Sequence, residues 1–202
     1  MSKPILVLVR HGRTEWSSTG RHTGLTDVPL DAEGERSARA LAQVLSPYEF
    51  AEVRVSPLSR ARGTAELAGL GPLVVDEDLV EWDYGAYEGL TTPQIRQQRG
   101  DQWRVFDQGV EPGGPGQTPG ENIHNVADRA RSLLARVREP LRRGPVALVG
   151  HGHALRVLAT VWLGLPPESG AMLDLGTGSV SVLSTAHEIP CIRLWNQLIP
   201  HS

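Results

Sequence analysis

Ile5-Leu6-Val7-Leu8-Val9-Arg10-His11-Gly12 is the stretch on which the reading turns. Five apolar residues in a row, three of them β-branched, fit a strand buried on both faces of a parallel sheet. The run stops at an arginine, a histidine and a glycine, and open α/β sheets bind their ligands at the carboxyl ends of strands. Working outward, buried strands are expected at 53–56 and 145–150, with weaker ones at 73–75, 172–175, 179–183 and 191–195. Asp31 is placed to cap a helix running to about Leu45, and 58–70 reads as a second helix. Ile123, Val126, Ala130, Leu133, Leu134, Val137 and Leu141 recur at three- and four-residue spacing and mark a third helix, and 154–163 makes another. Strands alternating with helices predict an α/β fold of three layers, with helices on both faces of a mostly parallel sheet.

Composition bounds the function. A chain of 202 residues, 40% of them hydrophobic, has apolar material for one sizeable core, so one domain is expected over 1–202. A formal net charge of -3 offers no general attraction to nucleic acid or to an anionic membrane, and anion binding must be local. The lone Cys191 has no partner for a disulfide and reads as packing. The start has one basic residue before five apolar ones, too short for a signal peptide or a span, so the expected location is the cytoplasm. Five glycines and three prolines within 107–120 describe a mobile surface loop.

Polar clusters follow the expected strands: Arg10-His11-Gly12, Ser56-Pro57-Leu58-Ser59-Arg60, and Gly150-His151-Gly152-His153. A fourth, Glu81-Trp82-Asp83-Tyr84-Gly85, follows a weaker strand, so all four can converge on one cleft. A phosphate group accounts for these residue types. Arginines fork onto its oxygens, glycines let backbone N–H groups approach, and a neutral imidazole nitrogen can accept the phosphoryl group. Arg10 alone would serve equally well as a structural ion pair, and a lone histidine is more often satisfied than catalytic. Two His-Gly pairs, each directly after an apolar run, shift the weight to chemistry. Glu81 reads either as a surface carboxylate or as a partly desolvated acid among Trp82, Tyr84 and Tyr87, its pKa raised enough to protonate a leaving oxygen. Tyr87, Trp103 and Trp162 read as core.

These residues resemble the histidine phosphatase superfamily, the phosphoglycerate-mutase-like proteins, whose hallmark Arg-His-Gly stands here as Arg10-His11-Gly12. Leu8 through Trp16 resembles the family's first motif, and Arg21-His22-Thr23-Gly24 the phosphate-pocket segment that follows. Ser56 through Ala65 is similar to its second-arginine motif, and Gly150-His151-Gly152 to its second-histidine motif. The resemblance implies His11 as phosphorylated nucleophile, Arg10, Arg60 and His151 as the phosphate pocket, and Glu81 as proton donor. Ser17, His22, Thr23, Gly24 and Gly152 are expected around the bound phosphate. Arg13 stands where the family usually has Glu, and Ser17 where its mutases usually have Asn. Arg13 would either add positive potential for a second phosphate or face solvent.

Glu81 through Gly89 resembles the acid phosphatase and sedoheptulose-bisphosphatase branches and lacks the basic residues of the mutase version. Hydrolysis of small phosphate esters is therefore expected, with no cofactor and no metal, since His151-Gly152-His153 lacks further ligands at matching spacing. The alternatives are a cofactor-dependent phosphoglycerate mutase and, from another class, a non-catalytic phosphate-ligand sensor. The segment 81–121, with Arg96, Arg99, Arg104 and its Gly-rich loop, is expected to set the substrate, and Pro119-Gly120-Glu121 resembles the family's Gly-Glu-Ser turn. His153 is unassigned, His124, His187 and His201 are expected at the surface, and homodimerisation is left open.

Overall fold

The computed structural model describes residues 3–200. Six strands, β1 (Leu6–Arg10), β2 (Glu52–Val55), β3 (Leu73–Val75), β4 (Val146–Gly150), β5 (Ser179–Ala186) and β6 (Ile189–Leu198), form one sheet in the order β3-β2-β4-β1-β5-β6. The first four pair in parallel, while β5 pairs antiparallel with β1 and β6 antiparallel with β5. The helices are α1 (Glu15–Ser18), α2 (Ala32–Ala40), α3 (Ala42–Leu45), α4 (Ser59–Leu67), α5 (Thr92–Arg99), α6 (Val105–Gln108), α7 (Ile123–Val137), α8 (Pro140–Arg143) and α9 (Gly152–Leu163).

Strand alternation divides the core. Val7, Val9, Val53, Val55, Ala147 and Val149 face one side and pack with Leu41, Leu45, Ala61 and Ala65 of the α2 to α4 layer. Leu6, Leu8, Val146 and Leu148 face the other and pack with Leu133, Val137, Leu155 and Leu158 of α7 and α9. A third cluster, Trp82, Tyr84, Tyr87, Trp103 and Phe106 against Ile123, Val126 and Val157, lies under the 81–121 segment. Tyr87 and Trp103 are buried in it, whereas Trp162 is half-buried and donates Nε1–H to Ser184 O at 3.1 Å.

The register positions the site. Arg10 lies opposite Gly150 in the β1–β4 ladder, and His11 N–H donates to Gly150 O at 3.0 Å, so the two His-Gly pairs leave adjacent strands at the same level. Ser56, at the end of β2, is tied to the same level through its N–H to Val149 O at 3.0 Å.

Several expected elements differ. The 172–175 strand is absent: a 3-10 turn over Pro167–Met172 takes its first residue, 173–175 is irregular, and Leu175 O accepts from Arg10. The helix begun at Asp31 is interrupted at Leu41 into α2 and α3, with the Asp31 carboxylate accepting from Gly34 N–H as expected of a cap. The long helix from Ile123 ends at Val137, and Pro140, lacking an N–H, opens the separate α8. Two helices, α5 and α6, lie in the 81–121 segment where none was expected. β6 extends well beyond 191–195 because a tight turn at His187 and Glu188, both at positive φ, folds it back along β5. Among the described residues no helix is long and apolar enough to cross a membrane.

Candidate active site

His11 sits in the turn after β1 and is 4% exposed. Its Nδ1 is 2.7 Å from Gly12 O. A carbonyl oxygen only accepts, so Nδ1 carries the proton and Nε2 is left with its lone pair. Burial, reinforced by the Arg60 and Arg10 guanidinium groups, holds the imidazole well below its ordinary pKa and therefore neutral near pH 7. Gly12 N–H donates to Thr64 Oγ1 at 2.9 Å, and the Thr64 hydroxyl donates to Arg60 O at 2.7 Å, which couples the His11 turn to α4. Gly12 must lack a side chain, since a Cβ there would lie 2.4 Å from Gly34 O.

The tautomer of His151 follows in the same way. Arg60 Nε–H donates to His151 Nδ1 at 3.2 Å, so the ring proton is on Nε2 and donates to Ser56 Oγ at 2.8 Å. The His11 and His151 rings are 5.1 Å apart, and burial with Arg60 beside it keeps His151 well below its ordinary pKa. Arg60 is fully buried and also donates to Thr26 O at 2.9 Å and to Gly24 O at 2.8 Å, fixing the 23–26 loop. Arg10 donates from Nη1 to Leu175 O, while its Nε is buried and has no partner among the described residues. A buried guanidinium N–H is costly unless something accepts it, and an anion in the cleft would do so. Gly152 accommodates this arginine, since a Cβ there would sit 3.1 Å from Arg10 Cζ.

Glu81 enters from the segment after β3. His151 makes no side-chain cap on α9. The Glu81 carboxylate does so instead, accepting from His153 N–H at 3.0 Å, Ala154 N–H at 2.8 Å and Trp82 N–H at 2.9 Å. The sequence left Glu81 as either a surface carboxylate or a partly desolvated acid among aromatic rings; the structure buries it, at a helix N-terminus with three backbone donors.

A cleft of about 180 Å³ opens over these groups. Arg10, His11, Ser17, Thr23, Glu81 and Gly152 line it, as does His22, whose Nδ1 donates to Leu90 O at 2.9 Å. Arg60 and His151 stand behind it. Gly24 is turned away: its N–H donates to the Glu88 carboxylate at 2.9 Å, and its part is to anchor Arg60. The Ser17 hydroxyl donates to Thr14 O at 3.1 Å within a capping box, and that of Thr23 to Arg21 O at 3.1 Å. Both hydroxyl protons are thus used locally.

Arg13 does not reach the cleft; it pairs at the surface with Asp31, Nε to Oδ2 2.8 Å. Of the 81–121 segment only Glu81 and Tyr84 line the cleft: Arg99 pairs with Glu111 at 2.5 Å, Arg96 donates to Trp103 O at 3.2 Å, and Arg104 points to Asp107 at 3.9 Å. Glu121 accepts from Arg129 Nε–H at 2.9 Å and Asn122 caps α7, so the Gly-Glu turn is structural in its contacts. His124 and His187 are exposed, and His201 lies outside the described residues. Gly20, Arg156 and Leu175 line the cleft without having been singled out in the sequence, and Arg21, Tyr84 and His153, named within motifs but given no role, line it too. His153 and Arg156 were findable, one and four residues beyond Gly152 on a helix, but Leu175 is brought in only by the chain's return. Among the described residues no three His, Cys, Asp or Glu are grouped to hold a metal.

A histidine with a free, neutral Nε2, flanked by buried arginines at the carboxyl ends of parallel strands, defines a phosphoryl-transfer site. The chain belongs to the histidine phosphatase superfamily (branch 1), whose family model matches residues 6–198. An acid phosphatase of Mycobacterium tuberculosis is 40% identical over 91% of this chain and 88% of its own length. A sedoheptulose 1,7-bisphosphatase of Saccharomyces cerevisiae is 37% identical over 80% of this chain and 68% of its own. The solved structure of an open reading frame of M. tuberculosis superposes with a TM-score of 0.89 at 38% identity, covering 98% of this chain and 99% of that one. The phosphoglycerate-mutase-like fold and phosphoester hydrolysis, both expected from the sequence, are what these relatives support.

Proposed function

We propose that this protein hydrolyses monoesters of small phosphorylated metabolites through a phosphohistidine on His11. In the first step His11 Nε2 attacks phosphorus in line, the ester P–O bond breaks, and the Glu81 carboxyl, as general acid, passes a proton to the departing alkoxide oxygen. Arg10 and Arg60 neutralise the equatorial oxygens, with His151 held neutral behind them. In the second step water attacks the phosphohistidine, Glu81 as carboxylate takes the water proton, the N–P bond breaks, and inorganic phosphate leaves. The observation that carries this reading is the His11 tautomer: the Gly12 carbonyl fixes the proton on Nδ1 and directs nucleophilicity to Nε2.

The same reading has one domain over 1–202, with 81–121 as the specificity segment, no resident cofactor or metal, a small-molecule partner rather than nucleic acid or membrane, and a place in the cytoplasm. Light scattering decides between a monomer and a homodimer. The test is phosphate release from phosphoglycerates, sugar mono- and bisphosphates and p-nitrophenyl phosphate in EDTA, for wild type and His11→Asn. Release that tolerates EDTA and disappears in His11→Asn, with thermal unfolding unchanged, is expected, along with an acid-labile phosphoprotein in quenched wild type only. Substantial activity in His11→Asn would overturn the assignment. Failure of wild type to release phosphate from any ester would favour the mutase, tested by adding 2,3-bisphosphoglycerate, or a sensor that binds esters without turning them over.

A further inference from the structure

Glu81, the acid of the proposed mechanism, stands on backbone with no regular structure of its own. Residues 80–84 belong to neither strand nor helix and run between 3-10 turns at Glu77–Leu79 and Gly85–Tyr87. The α9 amides aim the carboxylate, but they do not fix the chain that carries it. That task falls to α7. Arg129 Nη1 donates to Val80 O at 2.8 Å and to Asp78 O at 2.9 Å. The other edge of its guanidinium forks onto Glu121, Nε to Oε1 at 2.9 Å and Nη2 to Oε2 at 3.1 Å. Glu121 closes the far side: Oε2 accepts from Asp83 N–H at 3.0 Å, its own N–H donates to Asp83 O at 2.9 Å, and its carbonyl accepts from Trp82 Nε1–H at 2.7 Å. The arginine thus holds the residue before Glu81, and the glutamate it orients holds the two after it.

Arg129 does not itself touch a substrate. It is not among the residues that line the cleft, and one N–H on Nε, two on Nη1 and one on Nη2 are spent on these acceptors. Nor is it the only tie between α7 and this segment. Arg136, two turns further along the same face, holds the 77–79 turn by the Asp76 and Asp78 carboxylates at 2.8 and 2.5 Å, and would keep it seated if Arg129 were changed. What Arg129 adds is control of the backbone directly at Glu81. A general acid must come within about 2.6–3.2 Å of the oxygen it protonates, and a misplacement of about 1 Å costs on the order of 10²-fold. We infer that Arg129, acting with Glu121, is a positioning residue for the acid, holding the Glu81 backbone where its carboxyl reaches the leaving oxygen. The inference rests on the phosphatase reading and adds to it a residue that serves the proton transfers of Glu81 and not the binding of phosphate.

Tm falls on replacing Arg129 whether or not it positions the acid, so the test reads kinetics. It compares kcat/KM, which reports the first phosphoryl transfer, for glycerol 3-phosphate and p-nitrophenyl phosphate in wild type, Arg129→Met, Arg129→Lys, Glu81→Gln and the double variant Glu81→Gln/Arg129→Met. Arg129→Met should lose about tenfold to a hundredfold on glycerol 3-phosphate, whose alkoxide needs the proton, and much less on p-nitrophenyl phosphate. Competitive inhibition by inorganic phosphate should be unchanged, because the Arg10 and Arg60 pocket is intact. Arg129→Lys, with one cation but no fork, should recover part of the loss. In the Glu81→Gln background Arg129→Met should cost glycerol 3-phosphate nothing further, since the group it positions is gone. Equal losses on both esters, weakened inhibition by phosphate, a lysine no better than methionine, or a full further loss in the double variant would overturn the inference and leave Arg129 as a strut between α7 and the 77–79 turn. If Arg129→Met does not fold, Arg129→Lys and Glu121→Gln must show the same ester selectivity in weaker form, and equal losses there would count against positioning. Equal losses in Glu81→Gln itself would remove the acid assignment and the inference with it, whereas absence of all turnover in wild type would strike the phosphatase reading.

Discussion

Replacing Glu81 by Gln removes one proton-carrying oxygen and leaves nearly the same shape, which makes it the sharpest probe of the site. The carboxylate accepts three backbone N–H groups, two on Oε1 and one on Oε2. A glutamine can keep its oxygen toward Trp82 and Ala154 but must then point its NH₂ at the N–H of His153, donor against donor. One buried N–H left without an acceptor costs about 1–3 kcal/mol. In a chain of this length each kcal/mol lowers Tm by about 2–4 °C, so a fall of about 2–12 °C is expected. The chemical loss is separate. Without its acid the enzyme should lose about 10²–10⁴ in kcat on an alkyl ester such as glycerol phosphate. p-Nitrophenyl phosphate, whose leaving oxygen scarcely needs a proton, should lose much less. Steady-state rates on both esters, taken well below the variant's Tm, separate the two effects. Equal losses on both esters would show that Glu81 acts only by holding the start of α9, and an unchanged Tm would refute the donor-clash argument.

Two further outcomes follow from the same geometry. Thr64→Val keeps shape but strips the acceptor from Gly12 N–H and the donor from Arg60 O, both buried. A destabilisation of about 1–3 kcal/mol in urea unfolding is expected, with kcat falling as the His11 turn loosens, and wild-type values for both would remove Thr64 from the support of the nucleophile. Folding should also weaken in mild acid. His11, His22, His151 and His153 are all held below the ordinary histidine value of 6.5, so the unfolded chain binds more protons just below that pH. Their contribution is fully present above about pH 6.5 and is lost as pH falls from there toward the lower folded-state values. Urea midpoints at pH 7.5 and pH 5.5 should show the drop, ahead of most carboxylate titration, and a flat profile would contradict neutral burial of these rings. Because the nucleophile stays neutral in the folded enzyme, activity on p-nitrophenyl phosphate should persist below pH 6.5.

The parallel core was legible because its strands are buried on both faces, and such strands must be written as unbroken apolar runs. The residues at their ends were legible too. Arg10, His11, Arg60 and His151 stand directly after or just beyond those runs, and two His-Gly pairs placed in that way point to chemistry where a lone polar residue would not. Less was readable where the chain is irregular. The 172–175 segment has strand-like composition, yet it follows a 3-10 turn and uses a carbonyl to hold Arg10. Ser17 and Thr23 line the cleft and Gly24 does not, and their hydrogen bonds are internal or directed at Glu88, which no local pattern announces.

By itself, then, the sequence determined the layered α/β architecture and the superfamily and singled out the candidate reacting groups, because each is written in local runs and in short motifs at strand ends. The tertiary structure alone decided which nitrogen of each histidine carries the proton. It also placed Glu81 on the start of α9. Those features depend on partners far away in the chain, 165 positions between Arg10 and Leu175 and 91 between Arg60 and His151, and such partners meet only when the sheet closes.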